Sequence, residues 1–254
     1  MNKTIERVAP FAFGFIALGA WQGLVWALGV PSYVLPGPIA IVQAYIDDHA
    51  VLDAALLSTL SVTFAALAAA TAIGVALAVA MAASRLFRAA IQPWAVILQV
   101  TPIVALAPFI IIWVNQPFLA LVVCAIIVAF FPILANTAAG LASTPAELQD
   151  LFRLNGATRW QTLTLLSLPS ALPSFLTGLR ISGTLALVGA VVAEFVAGSG
   201  GFASGLAYRI IEASYRLEIP RMFAALVLLG LSGIVIYAAL GWLEAALLRR
   251  RNGA

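Results

Sequence analysis

Side chains able to carry chemistry are scarce in this sequence, and most catalytic sets cannot be assembled from them. Lys3 is the only lysine, so a phosphate-binding loop with its lysine cannot be built. His49 and Cys124 are each the single residue of their kind, which removes histidine-rich metal sites, HExxH helices and CxxC pairs. Asp47, Asp48 and Asp53 surround His49, and with one histidine the group reads as a solvated acidic face. Gly198-Ser199-Gly200-Gly201 sets its glycines at the wrong offsets for a nucleophile elbow. Two acids within or close to apolar runs remain. Glu194 lies deep in VGAVVAEFVAG, and Glu244 sits near the end of the last apolar run. An acid in hydrocarbon is costly and marks a function by default. Glu194 therefore fits a proton or sodium relay, a pair with Arg209, or an outward gate. Glu244 is expected at the interface among Arg249, Arg250 and Arg251.

The medium that surrounds these residues follows from composition. The chain has 254 residues, 63% of them hydrophobic and 9% charged, against about 25% charged in soluble domains. A soluble fold of this size could not hide so much apolar surface, so lipid is the solvent for much of it. The net charge of +3 does not point to nucleic acid, because basic residues flank membrane spans and set their orientation. A lone cysteine in an apolar run excludes an intramolecular disulfide.

Six apolar runs are long enough to cross hydrocarbon, at about 20 residues each. They cover 9–30, 55–83, 94–114, 118–141, 174–197 and 222–248. A short surface helix is expected from Pro38, followed by the acidic loop. The first run carries Trp21 and Trp26 and lacks a clear cleavage site, so it reads as a retained helix. Thr101-Pro102, Pro108 and Pro132 interrupt spans, which membrane helices tolerate when neighbours satisfy the freed carbonyls. Gln99, Thr101, Asn136, Ser182, Thr184 and Glu194 are polar groups in these runs and are candidates for a translocation path. Bridging between helices is the competing role for each. Lys3, Arg7, Arg85, Arg88, Arg153, Arg159, Arg180 and the three terminal arginines fall on one side of a six-span topology. Arg209, Arg216 and Arg221 fall on the other. The positive-inside rule then puts both termini in the cytoplasm.

The longest polar-bearing interruption, Thr144 to Pro173, reads TPAELQDLFRLNGATRWQTLTLLSLPSALP. Thr144, Pro145 and Glu147 form the pattern of a capping box. Leu148, Leu151 and Phe152 share a helical face, with Asp150 and Arg153 off it. Asn155-Gly156 stops that helix. Thr158 and Gln161 repeat the capping box and open a second helix, which Pro169 is expected to close. On the cytoplasmic side, this capped apolar knob has the pattern of a helix that docks in a groove.

Gly156, followed after nine residues by Leu166-Ser167-Leu168-Pro169, resembles the cytoplasmic signature of permease subunits in bacterial ABC importers. That signature is written EAA, three residues, G, nine residues, I-x-LP. The stretches LQVTPIVALAPFIIIWV (98–114), FFPILANTAAGL (130–141) and VVAEFVAGSGGFASGL (191–206) are similar to the branch that handles sulfonates, taurine, nitrate and thiamine precursors. The EAA positions read Asp150-Leu151-Phe152, so only the acidic character is kept.

The resemblance implies an all-α, six-span type I ABC importer permease bundle with a cytoplasmic coupling helix in the inner membrane. It implies a second copy of the chain, a pair of cytosolic ATPase subunits that hold ATP and Mg, and a periplasmic or lipid-anchored binding protein. The chain itself would bind no cofactor. Coupling would fall to Glu147, Leu148, Asp150, Leu151, Phe152, Gly156, Ala157, Arg159 and Pro169. The cargo would be a sulfonate, nitrate or a heteroaromatic vitamin precursor. An ion-coupled carrier built on Glu194 is the alternative.

Overall fold

A computed structural model describes residues 3–198 and 204–252. The glycine-rich segment at 199–203 lies outside the described residues, as do the side chains of Lys3, Arg7, Arg250 and Arg251. Among the described residues the regular structure is entirely helical. It comprises α1 (Lys3–Ala27), α2 (Pro38–Ala83), α3 (Arg85–Val100), α4 (Ile103–Trp113) and α5 (Pro117–Ala142). Then follow α6 (Ala146–Leu154), α7 (Arg159–Thr162), a π turn (Leu163–Ser167), α8 (Leu168–Ala197), α9 (Leu206–Tyr215) and α10 (Ile219–Asn252). Five helical stretches are long and apolar enough to cross a membrane, and the pair α3–α4, bent by 101°, makes a sixth.

Small residues set the centre of the bundle. Without a hydrophobic drive between helices in lipid, close backbone approach supplies the packing. Helices α5 and α8 pack along much of their length, with α2 against α5. A Cβ added at Gly189 would lie 2.8 Å from the Ala125 Cα, and one at Gly178 would lie 2.7 Å from the Pro132 carbonyl oxygen. Gly74 meets Ile133 in the same way across α2 and α5. Ala70, Ala78, Ala129, Ile133 and Ala186 are fully buried in this layer. Ser182 donates a 2.6 Å hydrogen bond from α8 to the Ala129 carbonyl of α5. Helix α1 is more peripheral; Trp21 stacks at an angle on Phe223, with ring centroids 6.3 Å apart.

Several elements differ from what the sequence leads one to expect. The second span is one helix from Pro38, kinked at Asp48 (φ −116°, ψ 15°). Its 46 residues, at about 1.5 Å each, make roughly 70 Å, well beyond a ~30 Å hydrocarbon core. The excess is long enough to carry Asp47 and Asp48 beyond such a layer. The third span is not continuous over 94–114. Thr101 precedes a proline and is driven out of helical geometry (ψ 123°), and its hydroxyl closes on the Ile97 carbonyl at 2.7 Å.

Pro169 does not end the second short helix. The π turn before it, with Leu168 N bonded to the Leu163 carbonyl, widens the coil so that the chain runs on into α8. Thr144 does not cap α6. Pro145 holds the N-cap position in extended geometry, and the buried Thr144 hydroxyl donates back to the Leu141 carbonyl at 3.0 Å.

Candidate functional site

The stretch between α5 and α8 holds the short helices α6 and α7, and it is largely exposed. No residue of α6 is buried. Leu148, Leu151 and Leu154 are 42%, 52% and 85% exposed, while Phe152 and Ala157 are half-buried. Glu147 sits in the first turn and Arg153 in the last, each of the sign that the helix dipole favours. Asp150 lies 3.9 Å from Arg153 on an exposed surface, a pairing that contributes little. The helix ends in a Schellman motif: Gly156 takes φ +74°, its amide bonds to the Arg153 carbonyl, and Ala157 N bonds to the Phe152 carbonyl, both at 3.0 Å.

Thr158 opens α7 with a complete capping box; its hydroxyl accepts from Gln161 N at 3.2 Å and Gln161 Oε1 accepts from Thr158 N at 2.8 Å. Arg159 and Trp160 are exposed. From Arg159 the chain is helical through the π turn and past Pro169 to Ala197. A rigid bend at Gly156 thus joins an apolar-faced helix to a long span.

The polar candidates in the spans do not gather at one point. Gln99 is exposed near the end of α3, beside the α3–α4 break with Thr101. Asn136 Nδ2 donates to the Pro132 carbonyl at 2.8 Å, and Thr184 Oγ1 to the Ile181 carbonyl at 2.9 Å. Asn136 and the fully buried Ser182 both stand at the α5–α8 seam. Glu194 is far along α8, 2% exposed, and borders a cavity of about 280 Å³ with Ile111, Val114, Leu121 and Tyr208. Thr59 Oγ1 donates to Glu194 Oε1 at 2.9 Å, and Ala207 N donates to Oε2 at 3.1 Å. Glu194 does not pair with Arg209, which binds Glu212 at 2.7 Å instead.

Two further clusters escape a reading by sequence. Among the described side chains, Glu244 meets residues of α8. It pairs with Arg180 at 3.5 Å and accepts from Thr177 at 3.1 Å. Arg180 is therefore part of the α8–α10 seam rather than a loop charge, with its guanidinium 3.9 Å from the Tyr237 ring centroid. The spacing of Thr177 and Arg180 on one face of α8 was the available signal. At the other end, Arg221 ties Asp48 of α2 (3.2 Å) to Glu218 (2.9 Å). Arg216 joins Arg209 on Glu212 at 2.9 Å. The Arg209 hydrogen bond holds the Glu212 carboxyl below its usual range, with burial opposing and the neighbouring arginines assisting.

Known proteins resemble the chain in architecture and in sequence. An amino acid ABC transporter crystallised with histidines superposes with a TM-score of 0.65 at 18% identity, over 80% of this chain and 97% of the other. The methionine ABC transporter MetNI in an inward-facing form gives a TM-score of 0.62 at 22% identity, over 77% and 95%. The formylaminopyrimidine transport permease protein ThiX of Halalkalibacterium halodurans is 34% identical over 99% of both chains. The riboflavin transport system permease protein RibX of Chloroflexus aurantiacus is 39% identical over 90% of this chain and 85% of its own length. The putative aliphatic sulfonates transport permease protein SsuC of Bacillus subtilis is 29% identical over 93% and 85%. These relatives are ABC permeases, so the ion-coupled carrier alternative is without support. With residues 70–251 matching its model, the chain belongs to the binding-protein-dependent transport system inner membrane component family.

Proposed function

We propose that the chain, as the permease of an ATP-driven importer, carries a small heteroaromatic vitamin or vitamin precursor handed over by a separate binding protein. Two relatives at 34% and 39% identity carry the names of formylaminopyrimidine and riboflavin transport, against 29% for the one named for sulfonates. In this reading two copies of the chain meet two cytosolic ATPase subunits that hold ATP and Mg. The excess of arginine flanking α3, α6 and α7 supports a cytoplasmic location for that end and for both termini.

The observation that carries the mechanism is the uncovered apolar face of α6 next to the left-handed Gly156. Covering the remaining surface of Leu148, Leu151 and Leu154 contributes on the order of 3 kcal/mol, a useful share of a helix-in-groove contact. Closure of the ATPase pair on ATP would push α6; the helical run from Arg159 would pass that push to α8 and tilt it against α5 and α10. Gln99, Thr101, Asn136 and Thr184, none of them fully buried, supply polar contacts along the proposed path.

The test is uptake into proteoliposomes holding the chain with its ATPase and binding protein. ATP-dependent uptake of formylaminopyrimidine or riboflavin is expected, with none from the chain alone. Ion-driven uptake by the chain alone would overturn the importer reading. ATP-dependent uptake of an alkanesulfonate in place of either heterocycle would overturn the cargo class.

A further inference from the structure

Helix α9 begins without a cap of its own. Gly205 stands at its N-cap position with no side chain to offer, while the first amides of any helix lack partners within it. Here other helices supply them. Leu206 N donates to Thr59 Oγ1 of α2 at 2.9 Å, and Ala207 N donates to Glu194 Oε2 of α8 at 3.1 Å. Thr59 in turn donates to Glu194 Oε1 at 2.9 Å. Each carboxyl oxygen accepts one hydrogen bond, and the threonine hydroxyl both accepts and donates. Thr59, Leu206 and Ala207 are fully buried and Glu194 is 2% exposed. The positive end of a helix dipole favours a carboxyl acceptor at this position.

Gly205 completes the arrangement. Its φ is −84°, so the backbone does not require glycine, but a Cβ there would overlap the Glu194 carboxyl. The glycine makes room for the carboxylate. The partners are 135 and 147 residues apart in the chain for Thr59 and 13 for Glu194 and Ala207. One carboxylate therefore fastens α2, α8 and α9 together at the end of α8 remote from α6. The adjoining ion pairs Arg221–Asp48 and Arg221–Glu218 fasten the kink of α2 to the start of α10 in the same region.

The geometry points to Glu194 and Thr59 as positioning residues for transport: a latch that makes α9 move as one body with α2 and α8. Glu194 then acts by accepting two hydrogen bonds. Helix α9 belongs to the face opposite the ATPase, and the exposed Tyr215 at its end and Leu217 just beyond it (85% and 73%) stand where a binding protein would arrive. This assignment of the face rests on the importer reading above. Contact with the binding protein would be felt by α8 only while the latch holds.

The experiment uses the assembled complex with Thr59→Val, which keeps the shape and removes the hydroxyl, and Thr59→Ser, which restores it. Hydrogen exchange on α9 is read together with ATP hydrolysis, with and without binding protein. In Thr59→Val, exchange at Leu206 and Ala207 should accelerate about tenfold, as expected for one lost buried hydrogen bond. Stimulation by the binding protein should fall by a similar factor while unstimulated hydrolysis persists, and Thr59→Ser should recover both. Gly205→Ala, which displaces the carboxyl by bulk alone, should accelerate the same two amides.

Unchanged α9 exchange in both Thr59→Val and Gly205→Ala would overturn the latch. Full stimulation in a Thr59→Val complex whose α9 exchange has accelerated would overturn its role in transport. A wild-type complex that the binding protein fails to stimulate would count against the importer reading, whereas the exchange data decide the latch either way.

Discussion

At Gly156 the φ of +74° is a conformation in which a side chain costs roughly 1 kcal/mol, yet no atom lies within 4 Å of where its Cβ would be. A substitution there acts on the backbone and on whatever covers the surface, not on the core. Gly156→Asp adds a negative charge at the C-terminus of α6, which the helix dipole disfavours. It is expected to insert normally and to lose transport and ATPase stimulation. Gly156→Asn tolerates the same backbone without the charge and should retain part of both; equal activity for wild type and Gly156→Asp in an uptake assay would remove Gly156 from the coupling element. This glycine was legible because Asn-Gly follows an amphipathic run. Thr59 was not, since its partners lie on helices far away in the chain and a threonine in an apolar span looks the same whether it bridges or lines a path. Thr144 misled for a local reason: a proline directly after it takes the N-cap position and leaves the threonine in the preceding turn.

Helix existence was readable from hydropathy, and helix continuity was not. The N-terminal part of α2 carries three aspartates, a composition that suggests a loop, yet it is helical apart from the kink at Asp48. Pro102 and Pro169 have opposite outcomes. The first follows an extended Thr101 and breaks a span by 101°, whereas the second follows a π turn that makes room for it. Residue type alone does not distinguish these cases; the hydrogen bonds of the preceding turn do.

The α5–α8 seam gives the element-scale prediction. A Cβ at Gly189 would press on the backbone of Ala125 and on Val128, so Gly189→Ala must separate the helices. It should cost about 1–3 kcal/mol by overpacking, read as a lower melting temperature in detergent. Gly230, with nothing within 4 Å, is the control; Gly230→Ala should be neutral or stabilising by up to about 1 kcal/mol. Equal melting temperatures for the two variants would contradict close packing at that seam.

For the molecule as a whole, the exposed apolar surfaces are of two kinds. Phe13, Phe15, Trp26 and Trp242 lie on long apolar helices, where lipid or a second copy can cover them. Leu148, Leu151 and Leu154 lie on a short helix with charged neighbours, where lipid is a poor cover and a protein groove a good one. That contrast is why the sequence points more readily to a docking element than to cargo: the proposed docking helix is local in the chain, and a cargo path would be assembled from distant spans. The most direct measurement is copurification of the ATPase with a Leu148→Glu/Leu151→Glu double variant, together with the hydrolysis rate that the binding protein stimulates. The expected result is normal membrane insertion with the ATPase lost from the complex and no stimulated hydrolysis. Wild-type recovery of the ATPase with an undiminished stimulated rate would contradict coupling through α6.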